Sequence, residues 1–307
     1  MSLRDHRYLI VAGAPRCGTT SIFDYLDSHP DVCGSRIKES GFFYPRSFPL
    51  GTWSRYEDGP ERFGELFSRC HAPSGLRLEA TPGYLYVPET ARRIRASLPQ
   101  VKIVISLREP VSRLVSTLHF GILMGAFAPS TSFQAYLDLL RAQSEDSDAV
   151  APHLRGLRNG RYSRFLPVWF DTFGRENVLV TRFEELNRDA RATMIRVCEF
   201  AGLNSGHFQT HSLKVRNKSY DIRHAGLFAL FRRMQFRKMG REMAGTTSWK
   251  ASLEDLAHRT AGQWLLRAST KPAQKPIIRP EDRRFLEDYY SEEKSRLAAL
   301  LGTPVPW

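Results

Sequence analysis

The chain has 307 residues, 42% hydrophobic and 25% charged, with a net charge of +13. This is a globular composition with ample length for a sizeable core, and its longest apolar stretches fall far short of the roughly 20 residues of a membrane-spanning helix. The basic balance suits a polyanionic substrate, nucleic acid or an anionic membrane surface, and composition does not choose among them.

The first strand-like run is "YLIVAG" at 8–13. Its apolar stretch is shorter than the roughly 7–15 residues of a signal-peptide core, so it reads as a strand. Further strands are predicted at "DVCGS" (31–35), "LRLEA" (76–80), "VKIVISL" (101–107) and "NVLVTRF" (177–183). Helical spacing is predicted over 19–28, 61–70, 88–97, 110–123, 161–173 and 187–201. This alternation predicts an α/β fold: a central, mostly parallel sheet of about five strands with helices on both faces. Beyond residue 204 the strand signal disappears. Helices are expected at 225–241, 251–267 and 280–300, split by "STKPAQKPIIRP". A single domain is expected, with an α/β core at 7–203 and a helical C-terminal part packed on it. Cys17, Cys33, Cys70 and Cys198 show neither CxxC pairing nor metal-ligand spacing, which predicts reduced thiols and a cytoplasmic setting.

"GAPRCGTTSI" (13–22) joins the first strand to the first helix. A glycine-containing turn there offers backbone N–H groups to an anion, and the helix dipole adds to the attraction. Gly13 and Gly18 permit close backbone approach. Arg16 adds a charged fork, and Thr19 and Thr20 can donate hydroxyl bonds or cap the helix. The Gly-Lys-Ser/Thr ending of nucleotide-hydrolysing loops is missing, and no strand ends in a metal-binding Asp. A metal-free anion site follows. In "VKIVISLREPVSRLVS", Arg108 stands at the carboxyl end of a strand, where open sheets bind ligands, and Ser116 follows two helical turns later. Arg113 either shares their role or is a solvated helix charge. Two anion sites on one sheet edge suggest a ligand with phosphates at two ends.

"GAPRCGTTSI", "SHPDV", "KESGFF", "EATPGYL", "LPQVKIVISLREPVSRLVS" and "NGRYSRFLPVWFDTFGRENVLVTRFEEL" occur in this order over residues 7–203. Together they resemble the sulfotransferases that use 3′-phosphoadenosine 5′-phosphosulfate (PAPS), closest to the heparan-sulfate-type and bacterial branch. The likeness resumes at "KVRNKS" (214–219) and in the C-terminal tail. It implies a P-loop-like three-layer sandwich. It also implies that Gly13, Pro15, Arg16, Cys17, Gly18, Thr19, Thr20 and Ser21 line the phosphosulfate, and that Arg108 and Ser116 hold the 3′-phosphate. Lys214, Arg216 and Asn217 would belong to a basic loop closing over the nucleotide. Glu39 matches the family's base, with Lys38 beside it.

Two departures stand out. Arg16 replaces the family's usual lysine, and Ala80 stands where many relatives carry another lysine. Either Lys38 supplies the second charge or the acceptor pocket differs. His29 and Glu79 are the next candidate bases. Phe43 and Tyr84, with Phe42, Tyr44, Arg46, Phe48, Trp53, Arg55, Tyr56 and Tyr86, are expected to line an acceptor cleft or join the core. The acceptor implied is a hydroxyl on a small molecule, glycan or lipid. A P-loop kinase or NTPase is the alternative class, and no nucleic-acid motif is recognisable. "GLFALFRRMQFRKMGREM" is either a basic amphipathic helix packed on the core or a contact for anionic membrane. Oligomeric state stays open.

Overall fold

Five strands alternate with helices as the pattern predicts. The computed structural model describes residues 3–48, 55–70, 75–143, 152–210, 213, 220–224, 226–234, 261–262, 264–272, 276–305 and 307. Two compact units divide the chain: Met1–Arg113, Leu157–Asn217 and Phe285–Trp307 form the first, and Leu114–Gly156 and Lys218–Arg284 the second.

The first unit holds a parallel sheet of β1 (Tyr8–Gly13), β2 (Val32–Gly34), β3 (Leu76–Ala80), β4 (Val101–Leu107) and β5 (Val178–Arg182), in the order β2-β3-β1-β4-β5. From β1 the chain passes to the edge strand β2, returns to β3 beside β1, and then crosses to β4 on the other side of β1. That reversal opens a crevice at the carboxyl ends of the strands. Strand side chains alternate between two cores. Ile10, Ala12, Ile103 and Ile105 face α2 (Pro88–Ser97) and α5 (Leu166–Phe173) through Ile94, Leu166 and Trp169. Leu9, Val11, Leu78 and Val104 face α1 (Thr19–Asp27) and α6 (Ala190–Ala201) through Ile22, Leu26, Met194 and Val197.

Several elements depart from expectation. The helix expected at 61–70 is a 3-10 helix, Pro60–Phe67. The one expected at 187–201 breaks because Asp189 caps a new helix, accepting from the Ala192 N–H at 2.9 Å. The 280–300 helix is two, Pro280–Tyr289 and Ser291–Leu301. The second unit contains α4 (Phe133–Arg141), capped by Ser132 and burying Phe133, Tyr136, Leu137 and Leu140. It also holds an antiparallel pair, β6 (Tyr220–Ile222) with β7 (Thr270–Pro272), where no strand was expected. Only 226–234 of the predicted 225–241 helix and 261–262 and 264–267 of the 251–267 helix are described, and these are helical.

The expectation of four reduced cysteines is corrected. Cys33 and Cys70 form a disulfide, their Cα atoms 5.9 Å apart and their sequence separation 37. Donation from Arg36 N–H to the Leu66 carbonyl (2.9 Å) draws the two segments together. Cys17 and Cys198 are free and buried. The cytoplasmic expectation loses the support that reduced thiols lent it. No helix among the described residues is long and apolar enough to cross a membrane.

Candidate functional site

The loop after β1 is fixed at both ends. Ala14 N–H donates to the Ser106 carbonyl of β4 at 2.7 Å, and Ser106 Oγ donates to the Cys17 carbonyl at 2.7 Å. Gly18 begins α1 with φ 81° and no side-chain cap. A Cβ at Gly18 would lie 2.8 Å from Leu186 and 3.0 Å from Phe183, so glycine is required by both conformation and space. With glycine as its cap, the start of α1 has N–H groups that its own cap residue does not cover. Thr19 and Ser21 are buried, and Pro15, Arg16 and Thr20 are half-buried. Gly13 is buried, and a Cβ there would stand 2.7 Å from that of Leu85. Burial pushes the Cys17 thiol up to about 11, so Cys17 can serve an anion only through its backbone.

Arg108, at the carboxyl end of β4, donates from Nη1 to the Arg16 carbonyl at 3.2 Å and lies over the Phe183 ring at 4.4 Å. Its buried Nε has no hydrogen-bond partner among the described residues. Burial lowers the pKa of Arg16; the nearby Arg108 charge lowers it further, while Glu39 opposes both. Burial also lowers the pKa of Arg108. Two crowded, partly desolvated guanidinium groups are relieved by an anion placed between them. Arg113 is not a solvated helix charge: it is buried. Burial alone would depress its pKa, but Tyr86, Tyr162, Tyr290 and Cys17 outweigh it and leave the value raised. Tyr162, unremarked in the sequence, donates from its hydroxyl to the Arg108 carbonyl at 2.8 Å. Ser116 is buried in the second unit. Lys214, Arg216, Asn217 and Trp53 lie outside the described residues.

Glu39 sits on a turn held against the end of β3. Its N–H donates to the Ala80 carbonyl at 2.8 Å, and its φ is 64°. Lys38 Nζ reaches Glu39 Oε1 at 2.6 Å. Beneath the turn, Glu79 Oε1 accepts from Ser40 Oγ (2.9 Å) and Thr81 Oγ1 (2.5 Å), while Thr81 Oγ1 accepts from Gly41 N–H at 3.2 Å. Burial pushes the Glu79 carboxyl up to about 7 against these bonds and Lys38. Glu79 is fully buried, so it supports the turn instead of meeting an acceptor. His29 is also structural: it is buried, with Nε2 2.9 Å from the Asn204 carbonyl and Nδ1 accepting from Asp31 N–H at 3.1 Å.

The cleft expected from Phe43 and Tyr84 is corrected. Both are fully buried, with Phe43 N–H donating to Tyr84 Oη at 3.1 Å. Apolar packing of Phe43 against Phe63 and Phe42 draws this strip into the core. Tyr44 is buried as well, whereas Arg46 is exposed and Phe48, Arg55, Tyr56 and Tyr86 are half-buried.

Residues 6–296 match a family model described as the sulfotransferase domain. The chain belongs to the sulfotransferase domain family. Over 194 residues it is 27% identical to human heparan sulfate glucosamine 3-O-sulfotransferase 6, covering 63% of this chain and 52% of that protein. It is 25% identical over 310 residues to bovine bifunctional heparan sulfate N-deacetylase/N-sulfotransferase 2, covering 98% and 30% respectively. This sulfotransferase domain thus spans about half or less of those relatives. Its fold is shared with a sulfotransferase from Alicyclobacillus acidocaldarius, with TM-score 0.67, 22% identity and coverage of 98% and 97%.

Proposed function

We propose that the chain moves a sulfuryl group from PAPS to an acceptor hydroxyl. The observation that carries this is the hydrogen bond from Arg108 Nη1 to the Arg16 carbonyl at 3.2 Å, which sets a second cation beside the loop that follows β1. Glu39 stands at the end of the neighbouring strand, its N–H bonded to the Ala80 carbonyl of β3, which supports its reading as the carboxylate of the same site. The start of α1 and the Nε of Arg108, neither of which a side chain among the described residues occupies, fit a nucleotide with phosphate at two positions. Backbone N–H groups of 18–21 and Arg16 would hold the phosphosulfate, and Arg108 the 3′-phosphate.

PAPS supplies the sulfuryl group and departs as 3′-phosphoadenosine 5′-phosphate (PAP). A bond forms from the acceptor oxygen to sulfur while the bond from sulfur to the bridging oxygen breaks. Glu39 takes the acceptor's proton. Arg16 stabilises charge gathering on the bridging oxygen; a guanidinium stays protonated, so it acts by charge and not by proton donation. Lys38 holds the Glu39 carboxylate in place. The acceptor class is a hydroxyl on a carbohydrate, glycolipid or small molecule. The relatives named for heparan sulfate favour the first of these. Glu39→Gln should lower transfer by about 10²–10⁴-fold and leave PAP affinity within about twofold in calorimetry. Full transfer by that variant would remove Glu39 as the base.

A further inference from the structure

Every exposed large hydrophobic side chain among the described residues belongs to the second unit. Five of them sit on three helical stretches. Leu227 and Leu230 lie three residues apart on 226–234, with exposed Arg233 one further step along, while Phe228 turns inward against Phe231 at 5.7 Å. Trp264 is 63% exposed, and exposed Arg267 follows it by three residues on the helical run ending at Ser269. Phe120 and Met124 stand four apart on α3 (Pro110–Met124), both exposed. Residues three and four apart share a helix face.

Bonds within the unit gather these stretches together. Strand β6 leads into 226–234, and β7 follows the Trp264 helix directly. Where the strands meet, Arg223 N–H donates to the Ser269 carbonyl at 2.7 Å and His224 N–H to the same carbonyl at 3.1 Å. The end of one helix therefore adjoins the start of the other. At the far end of 226–234, the Arg232 guanidinium lies against Gly125, directly after Met124. Lys271 on β7 and Arg223 directly after β6 are exposed. In sequence, residues 218–284 carry fifteen Lys and Arg against six Asp and Glu.

We infer that this face of the second unit binds the surface of an anionic lipid bilayer. Aliphatic and indole side chains pointing outward need an apolar phase, and the arginines between them need anionic headgroups; a bilayer interface supplies both. A nucleic acid would satisfy the arginines but leave Leu227 and Leu230 in water. The inference does not depend on the sulfuryl-transfer reading.

The test is co-sedimentation of the full chain with phosphatidylcholine vesicles, with and without about 30% phosphatidylserine, at about 0.15 M salt. The protein should pellet with the anionic vesicles and stay in solution with the neutral ones. Leu227→Ser, Leu230→Ser and Trp264→Ser together should weaken binding about tenfold or more. Arg233→Gln and Arg267→Gln, both at exposed positions, should each weaken it about fivefold with the melting temperature unchanged. Absence of pelleting overturns the inference. So does equal pelleting by the serine variant with an unchanged melting temperature, which marks a purely cationic surface that binds any polyanion. Sedimentation velocity showing a dimer that the serine variant abolishes, without vesicle binding, assigns the face to a second copy of the chain and also overturns it.

Discussion

Arg16 and Glu39 are the two non-glycine residues with positive φ among the described residues, at 69° and 64°. Such conformations cost of order 1–3 kcal/mol and persist where surroundings enforce them, often at functional sites. Here the enforcing bonds run through the Arg16 carbonyl to Arg108 and through Glu39 N–H to Ala80. Arg16 and Arg108 were legible in advance as cations at strand ends, while Glu39 was singled out only through the resemblance of "KESGFF" to the family's base. Tyr162, Arg113 and the bonds of Glu79 were not legible, since a buried partner is invisible until the chain folds. Arg108→Ala should weaken PAP binding by about 10–100-fold and leave adenosine 5′-phosphosulfate, which lacks the 3′-phosphate, nearly unaffected; calorimetry with both ligands checks this. Equal loss for both would move the 3′-phosphate elsewhere. Glu79 yields a stability prediction. Its folded value near 7 exceeds the usual 4.5, so its contribution is intact below about pH 4.5 and is lost as pH rises through 7. Glu79→Gln keeps an acceptor for Ser40 and Thr81, and should flatten that decline by about 3 kcal/mol in denaturant unfolding from pH 4 to 8. An unchanged slope would show that Glu79 does not titrate there.

At the scale of elements, periodicity located the long, strongly patterned segments. β1, β3 and β4 fall at their predicted bounds; in β1 and β4 apolar β-branched runs leave little ambiguity, and in β3 the alternation of Leu76 and Leu78 with Arg77 and Glu79 marks a strand. The misses are short or locally decided. β6 and β7 have three residues each, too few for a pattern, and β7 ends in Pro272. α4 had a readable signal, Ser132 before an apolar stripe at helical spacing. The aromatic run at 42–44 was ambiguous because alternation cannot distinguish a cleft wall from a core; three-dimensional packing decided for the core. The turn into α1 gives a sharper test. Gly18→Ala places a Cβ against Leu186 and Phe183 at φ 81°, and should destabilise by about 2–4 kcal/mol in chemical unfolding while weakening PAP binding. A variant as stable as the parent would mean that the turn relaxes freely.

For the whole molecule, the sheet and its carboxyl edge followed from alternation, whereas the disulfide and the division into two units did not. Cys33 and Cys70 are 37 residues apart with no motif between them, and only the docking of the 60–67 segment beside β2 joins them. Cys33→Ser should cost about 2–4 kcal/mol by freeing the unfolded chain, read as a lower melting temperature that reductant reproduces in the parent. A parent protein indifferent to reductant would argue that the bond contributes nothing. The central claim concerns the donor, and it is tested without knowing the acceptor. Calorimetric titration of the full chain with PAP and with ATP–Mg²⁺ should show PAP binding at least ~100-fold more tightly. Comparable or tighter binding of ATP–Mg²⁺, or no binding of PAP, would contradict the account.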